Sequence, residues 1–191
     1  MYQKEAKITF IKEILSGYFL MKFFVPKIVK IALPGQFIMV ECGKSLVPLL
    51  RRPFSFASFS ENGNDSKILF KIVGNGTEIL SQKKVGETVN IIGPLGNGFQ
   101  ILKNVESISI LARGIGIAPF KALIEDALLK KIKVILFFSV KKEKLLLLID
   151  DLKNLDLEIY KFVEFNKDKK VSKAVKDFYK FAEKKYFNQA F

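Results

Sequence analysis

Three arginines are the residues of this chain with the most specific chemistry. Arg51, Arg52 and Arg113 are the only arginines among 32 basic residues, so lysine serves wherever a simple positive charge is enough. The planar guanidinium can bind phosphate oxygens through two parallel hydrogen bonds, which an ammonium group cannot do. We therefore expect arginine here to mark places where an anionic group binds. The alternative is that the three persist by chance under the lysine bias.

The segment Arg52–Ser55 combines an arginine, a flat apolar side chain and a hydroxyl on one predicted strand. Alternation along a strand puts Arg52 and Phe54 on the same face, where Arg52 could bind a phosphate and Phe54 could lie along a ligand. Ser55 could hydrogen-bond a ring nitrogen, and Pro53 fixes the local backbone. The alternative is an ordinary edge strand that carries a surface pair of arginines.

Three glycine-rich segments follow. Gly74–Thr77 leads into a short helical stretch, where free N–H groups and the Thr77 hydroxyl could bind an anion; the alternative is a turn in which Thr77 caps the helix. Gly93–Phe99 holds three glycines and a proline, which predicts a tightly defined loop. Gly114–Pro119 lies between a predicted buried strand and a helix, the place where open α/β sheets bind nucleotides.

The elements that must position these segments divide the chain into two regions. Residues 1 to about 100 read as short strands with one helical stretch at Thr77–Lys84, which suggests a small antiparallel barrel. The six predicted strands are Ala6–Leu15, Tyr18–Val25, Gln36–Glu41, Phe54–Phe59, Lys67–Val73 and Thr88–Gly93.

The second region alternates predicted strands with helices, which is typical of a parallel sheet. The strands are Ser107–Ala112, Lys133–Val140 and Glu158–Phe165, and the helices are Pro119–Lys131, Lys144–Leu155 and Val171–Lys184. We therefore expect two domains, residues 1–103 and residues 104–191.

Composition excludes several classes of protein. With no histidine and one cysteine, Cys42, the chain cannot form a histidine-dependent triad, a histidine metal site or an intramolecular disulfide. We predict no metal site, no membrane-spanning segment and a cytoplasmic location. The net charge of +13 would suit a nucleic acid, but the lysines are spread along the chain and their densest clusters carry apolar residues at helical spacing. We therefore do not expect nucleic-acid binding.

The order and spacing of the motifs resemble the ferredoxin–NADP reductase superfamily. The series Arg51–Ser55, Gly74–Thr77, Gly93–Phe99 and Gly114–Pro119 carries this resemblance. Within the superfamily, the segments Pro34–Phe37, Pro48–Pro53 and Gly93–Phe99 look like the electron-transfer subunits of bacterial dihydroorotate dehydrogenases. The resemblance covers residues 1 to about 150. It implies an N-terminal flavin-binding β-barrel and a C-terminal, shortened NAD(P)-binding-like α/β domain.

The resemblance also implies cofactors and the residues that hold them. FAD would bind at the barrel, with Arg52 on its pyrophosphate and Pro53, Phe54 and Ser55 along the flavin and ribityl chain. The other implied FAD contacts are Leu69, Phe70, Lys71, Gly76 and Thr77. NAD(P)H would bind at a turn containing Gly114, Gly116 and Pro119. The resemblance assigns no catalytic residue.

The chain departs from the pattern of these relatives at three places. Arg113 and Ala112 stand where relatives usually have glycine, so Arg113 could grip a phosphate or obstruct the nucleotide. The relatives' final strand with its Cys-Gly-Pro segment is not found, and neither is the four-cysteine module that holds a [2Fe–2S] cluster. We therefore expect no [2Fe–2S] cluster. An exposed sheet edge would then need a protein partner, such as a redox partner subunit, or a homodimer to cover it.

Three functions remain open from the sequence. The first is an FAD-binding electron-transfer flavoprotein, the second a working NAD(P)H:flavin oxidoreductase, and the third a non-enzymatic subunit, flavin-bound or empty, that binds another protein. Which electron donor and acceptor it would use does not follow from these residues.

Overall fold

The chain folds into two compact units. The structure, a computed structural model, describes residues 1–43, 49–163 and 173–182. The first unit comprises Met1–Ile101 and Ala118–Glu125, and the second comprises Leu102–Ile117 and Asp126–Phe191. The domain boundary expected between residues 103 and 104 stays a prediction.

A seven-stranded antiparallel sheet forms the first unit. Its strands lie in the order β4-β3-β7-β1-β2-β6-β5. They are β1 (Tyr2–Leu15), β2 (Tyr18–Phe24), β3 (Phe37–Val40), β4 (Arg52–Ser55), β5 (Ser58–Phe59), β6 (Asp65–Lys71) and β7 (Thr88–Leu95). Two short helices, α1 (Pro26–Val29) and α2 (Asn75–Ser81), follow β2 and β6.

Alternate side chains of this sheet form one apolar core. Ile8, Met21 and Ile68 are fully buried, while their strand neighbours face the other side. The rings of Phe54 in β4 and Phe70 in β6 lie 5.6 Å apart. Because β4 and β6 lie near opposite ends of the strand order, this contact requires the sheet to curl around the core.

The predicted antiparallel first unit is confirmed, but it has seven strands rather than six. The single strand predicted over Phe54–Phe59 is wrong, because the chain changes partner inside it. The N–H of Phe56 donates to Gln36, which precedes β3, whereas the N–H of Ala57 donates to Lys67 in β6. This change of partner splits the run into β4 and β5.

The second unit contains a three-stranded parallel sheet in the order β10-β9-β8, as its strand–helix alternation predicted. Its strands are β8 (Ser107–Arg113), β9 (Lys133–Val140) and β10 (Glu158–Val163). From Val134 onward the central strand β9 is buried, which accounts for its continuous apolar sequence. Helix α3 (Ile117–Leu129) follows β8, and α5 (Lys173–Ala182) packs Phe178 and Phe181 against Phe137 of β9.

The helix predicted over Lys144–Leu155 is largely wrong. A 3₁₀ turn at Glu143–Leu145 precedes a short α4 (Ile149–Lys153), and Leu148 between them has a left-handed φ of 60°. That conformation interrupts a right-handed helix, although the apolar residues have helical spacing. The predicted ends of the last strand and the last helix, 164–165, 171–172 and 183–184, lie outside the described residues. Among the residues that are described, no helix has both the length and the apolar character needed to cross a bilayer.

Candidate functional site

Strand β4 positions the arginine motif. Its residues pair with β3, so that Arg52 lies opposite Val40 and Phe54 lies opposite Ile38. Arg52, Phe54 and Ser55 are half-buried and Pro53 is exposed. The motif thus lies on an edge strand of the sheet, as one alternative from the sequence had it, and Pro53 fits an edge because it has no N–H to donate.

Among the described residues, the Arg52 guanidinium bonds only to carbonyl groups of its own segment. Its Nη1 donates to the carbonyl of Leu50 at 2.7 Å and, more weakly, to that of Arg51 at 3.5 Å. Across residues 1–43, 49–163 and 173–182, no carboxylate forms an ion pair with it. Its positive charge is therefore uncompensated in this part of the chain, as an anion-binding arginine requires.

Arg51 has the opposite environment. Its Nη1 donates to the carbonyl of Asn90 at 2.8 Å, and its Nη2 donates to Asn90 Oδ1 at 2.7 Å and to Glu41 Oε2 at 2.8 Å. Asn90 in turn donates to Glu5 at 2.6 Å and accepts from Gln3 at 2.9 Å. Arg51 thus connects the start of β4 to β7 directly and to β1 through Asn90. Its guanidinium is already hydrogen-bonded to groups of the protein.

Cys42 lies just after β3, and the positive charge of Arg52 affects the pKa of its thiol. Burial raises the pKa of the Cys42 thiol, and the positive charge of Arg52 opposes that rise. The thiol is 1% exposed and donates to the carbonyl of Val40 at 3.7 Å. The charge of Arg52 therefore acts on a buried side chain of the protein.

The second predicted FAD segment lies on β6. Leu69 and Phe70 are buried, and Lys71 is exposed with its Nζ 5.3 Å from the centre of the Tyr18 ring. The ring of Phe70 also stacks on Phe19 at 5.5 Å. Since Phe70 contacts Phe54, the structure brings the β4 motif and the β6 motif together.

The third predicted FAD segment lies at the start of α2, where Gly74 rather than Thr77 is the N-cap residue. Gly74 is the residue that caps α2, and Thr77 is the third residue of the helix's first turn. The Thr77 hydroxyl accepts from the N–H of Val73 at 2.9 Å and of Gly74 at 3.3 Å, and it donates to the Gly74 carbonyl at 2.9 Å. Thr77 and Gly76 are both buried. The hydroxyl therefore closes the turn, and the exposed backbone of Gly74 and Asn75 is the part that faces solvent.

A pair of loops packs beside this site. The N–H of Phe99 donates to the carbonyl of Pro34 at 2.7 Å, and Gln36 Nε2 donates to the carbonyl of Gly96 at 2.8 Å. Gly35 has φ +90°, and a Cβ built there would lie 2.8 Å from the Phe99 ring. The two loop motifs that resemble the same relatives are therefore in direct contact.

Sequence reasoning missed the aromatic pair at the end of this loop. Phe99 stacks on Phe120 of α3 with ring centres 5.5 Å apart and planes at 14°, and Phe99 is 41% exposed. An aromatic residue directly after a glycine-rich loop was the available signal. Its partner, 21 positions further on, could be identified only from the tertiary structure.

The glycine turn after β8 is open. β8 ends at Arg113, a 3₁₀ turn covers Gly114–Gly116, and α3 begins at Ile117 with Pro119 in its first turn. Apart from the neighbouring residues of the turn, no described atom lies within 4 Å of a Cβ built on Gly114 or Gly116. Gly114 has a left-handed φ of 52°, which favours glycine there, whereas neither packing nor backbone conformation accounts for Gly116. Arg113 is exposed at the end of its strand. Where Gly114, Gly116 and Pro119 would contact NAD(P)H remains a prediction.

No family model matches the chain. Curated relatives do match: the electron transfer subunit of dihydroorotate dehydrogenase B (NAD(+)) from Desulforamulus reducens is 37% identical over 143 residues. That alignment covers 75% of this chain and 55% of the relative, so the chain spans about half the length of the curated relatives it matches.

Solved structures share the fold. Phthalate dioxygenase reductase matches with a TM-score of 0.77 and 18% identity, covering 95% of this chain and 56% of that one. A ferredoxin NADP+ reductase from Neisseria gonorrhoeae, solved with bound FAD and NADP, matches with a TM-score of 0.71 and 18% identity, covering 87% and 70%. At these identities the likeness establishes the architecture.

Proposed function

We propose that this chain, which has the fold of ferredoxin reductase-type proteins and is homologous to dihydroorotate dehydrogenase B electron-transfer subunits, is an FAD-binding electron-transfer module. The relatives are electron transfer subunits of an oxidoreductase, and a solved structural neighbour holds FAD. FAD, when bound, supplies the one- and two-electron chemistry, and the protein supplies position and electrostatics.

The contrast between Arg51 and Arg52 carries the proposal. Arg51 is held by Glu41 and Asn90, whereas Arg52 has only carbonyl partners among the described residues. A diphosphate offers negatively charged oxygens, which the Arg52 guanidinium does not contact among the described residues. The donor set therefore fits the pyrophosphate of FAD.

The neighbouring segments would hold the rest of the cofactor. Pro53, Phe54 and Ser55 would line the flavin and ribityl chain on β4. Leu69, Phe70 and Lys71 would contact it from β6, which meets β4 through the Phe54–Phe70 contact. Gly76 and Thr77 would complete the phosphate site by shaping the first turn of α2, whose solvent-facing residues are Gly74 and Asn75.

We infer a nicotinamide nucleotide as electron donor from the glycine turn after β8. The backbone of Gly114 and Gly116 faces space free of described atoms, which suits the close approach of a pyrophosphate. Pro119 in the first turn of α3 needs no N–H there, so it is compatible with a helix start at this turn. A redox partner subunit would take up the electrons, because the relatives are electron transfer subunits of a larger enzyme. The one cysteine, Cys42, cannot supply a [2Fe–2S] cluster within these residues.

Flavin content tests the proposal. The protein is purified, reconstituted with excess FAD and desalted, and its visible spectrum is compared with that of Arg52→Ala. We expect Arg52→Ala to weaken FAD binding about 10- to 100-fold, since a hydrogen bond to a charged group contributes about 1.5–3 kcal/mol. Arg113→Ala is the matched control and should retain FAD. Unchanged FAD affinity in Arg52→Ala would contradict the assignment of the pyrophosphate site.

A second measurement separates a working oxidoreductase from a passive flavoprotein. Anaerobic addition of NADH or NADPH to the reconstituted protein should bleach the flavin absorbance near 450 nm if the nicotinamide site is functional. Dithionite serves as the control, because it reduces bound flavin without that site. Bleaching by dithionite alone would favour a flavin-bound subunit that receives electrons from another protein.

A further inference from the structure

The outer surface of strands β1, β2 and β6 carries a regular arrangement of lysine and phenylalanine. Lys7 lies opposite Phe24, Phe10 lies opposite Lys22, and Lys22 lies opposite Lys67. The alternate residues Ile8, Phe23 and Ile68 are fully buried, so these lysines and phenylalanines face away from the core. We call Lys7, Phe10, Lys12, Lys22, Phe24 and Lys67 the lysine–phenylalanine face.

An irregularity in the pairing of β1 with β2 places Phe10 on this face. The register shifts between Ile8 and Phe10, so that Thr9 and Phe10 are both exposed rather than alternating. Phe10 is 37% exposed and Phe24 is 46% exposed. Two partly exposed phenylalanine rings therefore lie among the lysines of this face.

The charge of the face is poorly compensated. Asp65 forms an ion pair with Lys22 at 3.6 Å and accepts a hydrogen bond from the Thr9 hydroxyl at 3.3 Å. Within the described part of the chain, Lys7, Lys12 and Lys67 have no ion pair. Like charges directly opposite one another, as Lys22 and Lys67 are, destabilise a sheet. An acidic ligand would relieve this repulsion.

The strands that carry the lysine–phenylalanine face also carry the candidate flavin segment, with the buried pair Leu20 and Leu69 between the two. From Lys22 and Lys67, β2 and β6 run through the pair Leu20 and Leu69 to the pair Tyr18 and Lys71. Lys67 is two residues from Leu69, a distance of about 7 Å at about 3.3 Å per strand residue. Whatever occupies the face lies beside the residues proposed to contact FAD.

We propose that the lysine–phenylalanine face docks a partner protein that presents carboxylates around an apolar centre. Complementary charge speeds the encounter, and contact with Phe10 and Phe24 fixes the orientation. Both rings have more than half of their surface covered, which suits contact with apolar side chains better than the stacking of whole nucleic-acid bases. That the partner is a redox protein rests on the proposed function; docking itself does not require FAD.

Two labelled peptides test the face by fluorescence anisotropy in about 0.1 M salt, where charges more than about 10 Å apart are screened. The first peptide consists of 20 glutamates. The second is the same peptide with leucine in place of every fourth glutamate. We expect the leucine-containing peptide to bind more tightly. Lys7→Glu/Lys12→Glu should weaken both about 10-fold, and Phe24→Ser should remove only the advantage of the leucine peptide.

The controls separate a docking face from overall charge. Lys141→Glu/Lys144→Glu changes the net charge equally at exposed lysines of the second unit and should weaken binding less than about 2-fold. Equal losses in the two double variants would overturn the proposal. Lys7→Gln/Lys12→Gln repeats the test should the glutamate variant fail to fold.

Other occupants are distinguished in the same assay. An oligo-dT of 20 nucleotides and phosphatidylserine vesicles replace the peptides. If either binds with dependence on both Lys7/Lys12 and Phe24 while the peptides do not, the face serves a nucleic acid or a membrane and the proposal fails. Arg52→Ala should leave peptide binding unchanged, so a failure of FAD binding and a failure of docking are read separately.

Discussion

Arg51 and Arg52 are adjacent in the chain, yet their guanidinium groups have entirely different partners. Arg51 is bound by Asn90 and Glu41 on neighbouring strands, while Arg52 turns back to the carbonyl groups of Leu50 and Arg51. Arg51 immediately precedes β4 and Arg52 is its first residue, so the first arginine can anchor the start of the strand while the second remains available to a ligand. The two should respond differently to mutation.

Arg51→Ala should lower the stability of the fold more than Arg52→Ala does. The change removes three hydrogen bonds from a partly buried guanidinium and leaves Glu41 without its cation. We expect the free energy of unfolding to fall by about 2–3 kcal/mol, measured by urea denaturation without FAD. Arg52→Ala is the matched control, with an expected loss below about 1 kcal/mol. Equal losses in the two variants would show that the network does not anchor β4.

Gly35→Ala should cost more stability than Gly17→Ala, although both glycines have positive φ. A Cβ on Gly35 would lie 2.9 Å from the backbone nitrogen of Phe99, whereas a Cβ on Gly17 meets no described atom within 4 Å. Backbone strain alone costs about 1–2 kcal/mol in each variant. We expect Gly35→Ala to lose about 2 kcal/mol beyond that, because Phe99 must move. Thermal melts of the two variants provide the comparison, and similar melting temperatures would contradict the close packing of the two loops.

Gly116→Ala should leave the fold intact and impair reduction by NAD(P)H. A methyl group at this position meets no described atom within 4 Å, so the melting temperature should change little. It would occupy the space proposed for the nucleotide and raise the nucleotide concentration needed for half-maximal flavin reduction about 10-fold. Dithionite reduction of the same sample checks that the flavin is present. An unchanged response to NAD(P)H would place the nucleotide elsewhere.

Cys42 should link stability to pH on the alkaline side. Burial raises the thiol pKa above its usual value, so the native state holds this proton more tightly than the unfolded state. The resulting stabilisation is full below the unfolded pKa of about 8.5 and is lost as pH rises through the higher native pKa. Wild-type protein should therefore lose more stability than Cys42→Ala between pH 7.5 and pH 10, as measured by urea denaturation.

A thiol reagent at pH 8 should modify Cys42 only after unfolding. Rapid modification of the native protein would contradict the burial.

The sequence was sufficient for the architecture because its signals there are local. Alternation predicted most strands of the first unit, and the continuous apolar runs at Ser107–Arg113 and Lys133–Val140 predicted the parallel sheet. It failed where the chain exchanges partners, as between Phe56 and Ala57, because a hydrogen-bond partner is a tertiary property. Leu148 shows the same limit, since helical spacing did not reveal its left-handed backbone.

The candidate site divides in the same way. The Arg52 and Leu69–Lys71 segments were identified by motif, and the structure brings their strands together at Phe54 and Phe70. The bonding of the Thr77 hydroxyl to its own turn and the stacking of Phe99 on Phe120 were not foreseen. Both depend on side-chain geometry that residue type alone leaves undetermined. The roles of these residues toward FAD stay predictions.

The change of strand partner at Phe56 and Ala57 has a thermodynamic consequence. Four residues after Arg52, the chain leaves the neighbourhood of β3, and one residue later it bonds to Lys67, a member of the lysine–phenylalanine face. A cofactor that orders β4 and a protein that binds Lys67 would therefore act on one short piece of backbone. Linkage is reciprocal, so any factor by which FAD tightens the partner must equal the factor by which the partner tightens FAD. Peptide affinity measured without FAD then reports docking alone, and the ratio of the affinities with and without FAD would measure the coupling.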